Sequence, residues 1–422
     1  MSTVDNSIRS HRIMLLITAR SYRGDAFLQA AQRLGIEVVQ VIDMAHELAE
    51  FWHYPLGVDF NQPEAAVQTI AEFAEKKPVD AILGIDDSGT LLAARASARL
   101  GLPHNSPLAA EAARDKFRMR TLMDAAGVPC PVFRRFTTAD DPQEVAIQVG
   151  YPCVVKPLNL NGSRGVIRAD NPQELVAAVQ RLTQMLAREQ PEGTPQAYLV
   201  EDFIPGFEVA LEGMLDQGRM TVLALFDKPD PLDGPFFEET IYVTPSRLPS
   251  ATQNAIADCA ARAAQSLGLQ GGPVHAELRV NERGPWMLEV AGRSIGGLCS
   301  QTLRFDLDTS LEELILRQAC GLPLLTTQRE QTASGVMMIP IPEAGVLQRV
   351  DGLAEAKAVP LIEGVEITAK VHYPITPLPE GESYLGFIFA RGATPDLVEA
   401  ALRHAHSQLH FEIVPEIHLM RM

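Results

Sequence analysis

The segment Val274-His275-Ala276-Glu277-Leu278-Arg279-Val280 alternates apolar and polar residues, and Trp286-Met287-Leu288-Glu289-Val290 follows after a short gap. Side chains in a strand point alternately to opposite faces. Val274, Ala276, Leu278 and Val280 then share an apolar face with Trp286, Leu288 and Val290. His275, Glu277 and Arg279 point the other way, with Met287 and Glu289. A hairpin centred on Arg283 sets Glu277 opposite Glu289, about 5 Å apart at Cβ. Like charges paired across a ladder repel. A divalent cation resolves the conflict: oxygen-only ligands on a rigid pair suit Mg2+ or Mn2+, with phosphate oxygens and water completing the shell. The plainer alternative is two solvated acids in another register.

Other segments carry charges suited to a nucleotide. Val154-Val155-Lys156-Pro157 is an apolar strand ending in a lysine, and it leads into Asn159-Leu160-Asn161-Gly162-Ser163-Arg164-Gly165-Val166. A loop of small residues lets backbone N–H groups approach phosphate oxygens, and a lysine adds a point charge. A plain Asn-Gly turn is the alternative. Lys116 falls inside a predicted helix, where a solvated surface lysine is the plainer reading. Val200-Glu201-Asp202-Phe203-Ile204-Pro205-Gly206-Phe207-Glu208 reads as a strand, a bend and an acid. Such a strand exit offers backbone groups to a base and a carboxylate to ribose hydroxyls.

The elements that position these residues follow from periodicity. Strands over 12–18, 36–42 and 79–85 alternate with helices over 25–34, 64–76 and 88–100, which predicts a parallel α/β sheet. Its ligand-binding turns are 18–24 and 84–89. Ser106-Pro107 starts a helix reaching 126. Ser250-Ala251-Thr252-Gln253 fits a capping box. Further strands are expected over 132–136, 153–156, 166–168, 198–204, 207–215, 221–226, 336–341, 365–371 and 386–389. Helices are expected over 171–189 and 395–409, with a surface loop over 190–196.

Composition excludes several classes. Asp plus Glu number 53 against 36 Lys plus Arg, a net charge of −17. A surface this acidic argues against nucleic acid or an anionic membrane as partner. The five cysteines form no Cys-x-x-Cys pair, so a reducing cytosol fits better than a disulfide framework. The apolar run 13–19, closed by Arg20, is too short to span a bilayer. A soluble, cytoplasmic protein is expected. No Gly-x-Gly-x-x-Gly and no Gly-Lys dipeptide occurs, which removes the dinucleotide fingerprint and the Walker loop. Gly292-Arg293-Ser294-Ile295-Gly296 formally fits the nucleophile elbow of serine hydrolases, but Gly296-Gly297 is a poor helix start.

Taken together, these segments resemble the ATP-grasp superfamily of carboxylate–amine ligases over nearly the whole chain. The C-terminal stretch from Glu382 to His410, with Gly386-Phe387-Ile388-Phe389-Ala390-Arg391-Gly392, resembles the extension of the L-amino-acid ligase branch. The resemblance implies an N-terminal parallel α/β domain (1–112), an ATP-grasp fold (113–325, with a small lid over about 130–205) and a C-terminal α+β domain (326–422). It implies ATP and Mg2+ (or Mn2+) as cofactors. Small-molecule carboxylate and amine substrates would be joined through an acyl phosphate, and a homodimer is allowed for.

Residue by residue, the resemblance makes Lys116 and Lys156 the phosphate lysines and Gly162, Ser163 and Gly165 the phosphate flap. Glu201 and Ile204 become the adenine hinge and Glu208 the ribose acid. Glu277 and Glu289 become the metal ligands, and Arg293 the arginine at the transferred phosphate and acyl oxygen. Many family members carry Asn two residues after the second Glu. This chain has Ala291, which leaves one or two metal ions open. Three weaker expectations accompany these. His275 orients substrate or accepts a proton, unless it is a structural histidine. Glu239 contacts the amine. Gly296 and Gly297 present backbone amides to a carboxylate. A non-catalytic ATP-binding sensor is the alternative function.

Overall fold

The computed structural model describes residues 11–19, 21–188, 194–381 and 383–416. Arg20, most of the loop expected over 190–196, and Glu382 therefore lie outside the described residues, as does Glu189, the expected end of a helix.

The N-terminal unit is a four-stranded parallel sheet in the order β3-β2-β1-β4. Its strands are β1 (Arg12–Thr18), β2 (Glu37–Asp43), β3 (Leu56–Val58) and β4 (Ala81–Gly84). The five central residues of β1 are all buried, as helices on both faces of a parallel sheet require. The expected helices appear as α1 (Gly24–Leu34), α3 (Pro63–Lys76) and α4 (Asp87–Leu100). The short α2 (His46–Phe51) and β3 were not foreseen.

The helix expected from Ser106 to 126 is two helices, α5 (Pro107–Ala112) and α6 (Lys116–Ala125). Ser106 caps the first, its Oγ accepting from the Ala109 N–H at 3.1 Å. Asp115 caps the second, its Oδ1 accepting from the Arg118 N–H at 2.9 Å. A cap of this kind stabilises a helix by about 1 kcal/mol and fixes where it starts. Lys116 is thus the first residue of a helix and not an interior one.

A lid sheet follows in the order β5-β8-β6-β7, all antiparallel, from β5 (Phe133–Thr137), β6 (Cys153–Pro157), β7 (Ile167–Ala169) and β8 (Ala197–Asp202). The main sheet has eight strands. Five of them are β9 (Phe207–Asp216), β10 (Arg219–Asp227), β11 (Ile241–Thr244), β12 (Gly272–Asn281) and β13 (Gly284–Ala291). The sheet continues from β11 into Ala333–Ile339, Gly386–Gly392 and Ile362–Ile367, so it runs unbroken past residue 325. One apolar core joins Phe27 of α1, Phe226 of β10, Leu314, Val336 and Phe387, and so ties the two ends of the chain to the middle.

The capping box expected at Ser250 is absent. Pro249 takes the cap position without a side-chain bond, and Gln253 turns back to the carbonyls of Ser246 and Leu248. A true capping box forms between Ser310 and Glu313.

Candidate active site

Strands β12 and β13 form the expected hairpin, with Glu277 directly opposite Glu289. The pairing holds from that point away from the turn, where His275 faces Ala291. Towards the turn it shifts by one residue, so that Leu278 faces Met287 and Arg279 faces Trp286. The shift is a β-bulge at Leu288. It corrects the expected faces of β13. Met287 is fully buried, on the same side as Leu278, whereas Leu288 lines the cleft beside Glu289. The bulge keeps both glutamates on one face although the turn is one residue tighter than a centre at Arg283 demands.

That face forms one wall of a cleft of about 890 Å3 between the N-terminal sheet, the lid and the main sheet. Every residue assigned to the site from sequence lines it except Gly165, which lies at the end of the flap. Lys116 is buried. Its Nζ donates to the Leu160 carbonyl at 2.9 Å and lies 3.5 Å from Glu289 Oε2. Lys156 reaches from β6 to Glu201. Glu201 also accepts from Arg120, at 2.9 Å from Nε and 3.3 Å from Nη2, and Arg120 Nη2 donates to the Leu288 carbonyl at 2.6 Å. Burial alone raises a carboxyl pKa. Here the charges of Arg120 and Lys156 outweigh it and hold Glu201 at about 2. The Glu201 side chain therefore fixes the hinge to α6 and to the bulge. Ile204 follows β8, its carbonyl accepting from Arg279 Nη1 at 3.0 Å.

The flap between Asn161 and Gly165 carries three residues of positive φ, namely Gly162, Ser163 and Gly165. The loop is closed by two turns, with the Arg164 N–H donating to the Asn161 carbonyl at 3.2 Å and the Val166 N–H to the Ser163 carbonyl at 3.1 Å. It is held against the C-terminal part of the chain: the Gly165 N–H donates to the Pro379 carbonyl at 2.9 Å and Arg164 Nε to the Glu380 carbonyl at 3.1 Å.

A second charge cluster was not foreseen. Lys228, at the end of β10, sits among three carboxylates: Glu208 at 2.9 Å, Glu277 at 3.2 Å, and Glu239 in closer contact still. The ligand oxygens of these three acids lie within 4.8 Å of one another. Burial opposes the ammonium, yet the three charges raise Lys228 well above its usual pKa. Glu239 is pushed up to about 7 by burial and by Glu277, while Glu277 is held well below the usual carboxylate range against its own burial by Lys228 and His275. Glu208 also accepts from Arg279 Nε at 3.0 Å.

His275 lies between two acids, Nδ1 3.1 Å from Glu212 Oε2 and Nε2 3.5 Å from Glu277 Oε1. Burial works against the imidazolium, but these partners raise its pKa to about 9. Each ring nitrogen thus faces one carboxylate, and the ring braces Glu277 from the side of Glu212. Glu212 is fully buried and also accepts from the Ile295 N–H at 3.0 Å.

Arg293 pairs with Asp87 at the start of α4, Nη2 to Oδ2 at 2.7 Å. Arg23 crosses the other way, Nη2 to Ser294 Oγ at 2.5 Å. Ser294 is 2% exposed and its hydroxyl is engaged. The chain continues into a short 3-10 turn over Cys299–Thr302 instead of a helix. The nucleophile elbow is thereby excluded. Gly296 and Gly297 follow in the cleft wall, Gly297 at a φ of +60.

Lys228 had a readable signal, because Phe226-Asp227-Lys228-Pro229 repeats the apolar-strand-then-Lys-Pro pattern of Lys156. Asp87 falls in the 84–89 turn already singled out. Arg23 falls in the 18–24 turn, whereas Arg120 and Glu212 gave no local sign, since their partners lie 63 to 168 residues away.

The same organisation appears in known families. Residues 149–302 match the ATP-grasp domain, 28–104 the ATP-grasp N-terminal domain, and 337–414 the L-amino acid ligase C-terminal domain 2. The solved L-amino acid ligase from Bacillus licheniformis superposes with a TM-score of 0.82 at 26% identity, over 96% of this chain and 99% of that one. This chain belongs to the ATP-grasp superfamily. An uncharacterized protein of Sinorhizobium fredii is 24% identical over 96% of this chain and 84% of its own length. Alanine–anticapsin ligase of Bacillus subtilis is 28% identical over 68% of this ATP-grasp chain, and the match spans 65% of that ligase's length.

Proposed function

We propose that this ATP-grasp chain is an ADP-forming ligase that activates an amino-acid carboxylate as an acyl phosphate and joins it to an amine. The reading is supported most by one relationship: the Glu277–Glu289 pair, with Lys116 at 3.5 Å from Glu289, opens on the cleft that also holds Lys156, Arg293 and the flap. The donor set fits the groups it must hold. Glu277 and Glu289 offer only oxygen, which suits Mg2+ or Mn2+, and Glu239 and Glu208 lie within reach of Glu277. Such an ion offsets charge on phosphoryl oxygens.

The chain's own residues account for the rest. Lys116 and Lys156 meet the phosphates, and the backbone at Gly162, Ser163 and Gly165 covers them. The hinge at Glu201 and Ile204 meets the base through its main chain. Glu208 faces the ribose. A carboxylate oxygen attacks the terminal phosphorus of ATP and ADP leaves. The amine then adds to the acyl carbon, and phosphate departs with that carboxylate oxygen. Arg293 and the amides at Gly296 and Gly297 stabilise the acyl oxygens, where charge develops. Glu239 lines the cleft beside this site and meets the amine, and the departing phosphate carries away the proton that the amine loses. The docked flap keeps water from the acyl phosphate.

A cytoplasmic location and a homodimer belong to the same proposal. In its support, no helix among the described residues is long and apolar enough to cross a membrane. The test is ADP release from ATP and Mg2+ across pairs of amino acids, with mass spectrometry of the product. ATP binding without release of ADP by any pair would instead favour a sensor.

A further inference from the structure

One side of the cleft has no part in the chemistry above. Tyr22, in the turn after β1, is 41% exposed and sets its ring against Phe387, with centroids 5.8 Å apart at 66°. Tyr384 meets the same Phe387 ring from another direction, at 6.0 Å and 61°. Next to them Cys299 Sγ lies 3.7 Å from Met338 Sδ. Tyr22, Tyr384, Cys299 and Met338 all line the cleft, with Phe387 packed behind them.

The wall adjoins the place given to the substrate carboxylate. A Cβ on Gly297 would stand 3.1 Å from the Phe387 ring and 3.4 Å from Cys299 Sγ. A carboxylate at the amides of Gly296 and Gly297 therefore has this wall within reach of its substituent.

The charges bordering the wall are already satisfied. Arg23 donates to Ser294 and to the Ile85 carbonyl and lies 3.9 Å from Asp86, Arg293 is paired with Asp87, and Lys228 is enclosed by its three acids. An anionic substituent entering here would meet only cations that already have partners and would lose its hydration without gaining a counter-ion, which is costly. An apolar ring would exchange water for aromatic and sulfur surface, which is favourable.

From this we infer that Tyr22, Tyr384, Met338 and Cys299 form the side-chain subsite of the activated carboxylate, and that it selects amino acids with an aromatic or large aliphatic side chain. The inference rests on the ligase reading. The subsite is assembled from three parts of the chain: Tyr22 from the N-terminal sheet, Cys299 from the loop after Arg293, and Met338 and Tyr384 from the C-terminal strands and loop. The pocket is complete only when all three are docked.

The experiment measures ADP release at saturating amine with phenylalanine, leucine, alanine, glutamate and lysine as carboxylate partner. An 18O label in the carboxylate, recovered in phosphate, identifies which partner is activated. The expected result is a kcat/KM for phenylalanine or leucine at least about tenfold above the other three, the scale of discrimination an apolar pocket supplies. Tyr22→Ala and Tyr384→Ala should each raise KM for the preferred acid about tenfold and leave KM for ATP unchanged. Tyr22→Trp, which fills the pocket, should shift preference towards alanine. Turnover with no such preference, or with glutamate or lysine preferred, overturns the subsite and leaves the ligase reading standing. So does an equal loss on every carboxylate in the Tyr22 variants. No ADP release with any pair overturns both.

Discussion

Arg293 and Asp87 make an ion pair of 2.7 Å across the joint between the N-terminal sheet and the main sheet. The pair connects the residue proposed to meet the acyl oxygens to the turn at the end of β4. Burial opposes both charges, and each holds the other ionised: Asp87 is kept below the usual carboxylate range and Arg293 above its own.

Asp87→Asn therefore leaves a guanidinium in the cleft with a neutral partner. The loss of a charged hydrogen bond predicts a destabilisation of about 2 kcal/mol. Urea unfolding measures it. Turnover should fall further than ATP affinity, because Arg293 loses its fixed orientation while the phosphate lysines keep theirs. Equal effects on both would mean that the pair only joins the domains.

Arg120 and Glu201, both buried, and the partly exposed Lys156 bear on stability. Arg120 is fully buried. Arg120→Leu removes one of Glu201's two cations and the donor to Leu288. Breaking a buried pair from one side costs about 3–5 kcal/mol. Guanidinium unfolding should show a loss of that order. A change below about 1 kcal/mol would show that Lys156 alone satisfies the acid.

Glu201 also sets an acid limit. Its carboxyl is held at about 2 in the folded chain, below the usual 4.5 of a glutamate. A depressed acid adds stability that is fully present above about 4.5 and is lost as pH falls towards 2. The contribution is on the order of 3 kcal/mol. Unfolding midpoints measured from pH 6 to pH 2 should fall more steeply for the native chain than for Glu201→Gln.

Lys228 is the cation of the second cluster. Lys228→Met leaves Glu208, Glu239 and Glu277 facing one another. Their repulsion is relieved as they take up protons, so the variant's stability deficit should shrink as pH falls from 8 to 5. Thermal unfolding across that range checks the sign. A deficit independent of pH would place the loss in packing.

Much of this site was readable in the chain, and what was not has physical reasons. The alternation around Glu277 and Glu289 specified the hairpin, because a period of two is hard to produce otherwise. The bulge at Leu288 was hidden, since Trp286, Met287 and Leu288 are all apolar and either register satisfies the pattern. The break before Lys116 carries neither Gly nor Pro, and the capping Asp115 was its one mark. The sheet crossing residue 325 was out of reach, because the neighbours Ile241–Thr244 and Ala333–Ile339 are about ninety residues apart and any pairing of apolar strands looks alike in one dimension. Glu212 reads as a solvent-facing residue of an alternating strand, and only the fold reveals that it is buried against His275.

The paired glutamates give the next prediction. Glu277→Gln and Glu289→Gln should each lower turnover by about a hundredfold or more, the scale expected when a preorganised electrostatic group is removed. The unfolding midpoint should move little. Binding of Mn2+ followed by electron paramagnetic resonance should weaken in both variants. Native Mn2+ affinity in either one would remove that glutamate from the metal site.

In the proposed reaction a carboxylate is activated by phosphorylation. An amino acid labelled with 18O in its carboxylate, turned over with ATP, Mg2+ and an amine, tests it most directly through the mass of the released phosphate. An acyl phosphate route delivers one carboxylate oxygen to each phosphate. ADP formed with unlabelled phosphate, or AMP formed in its place, would contradict it.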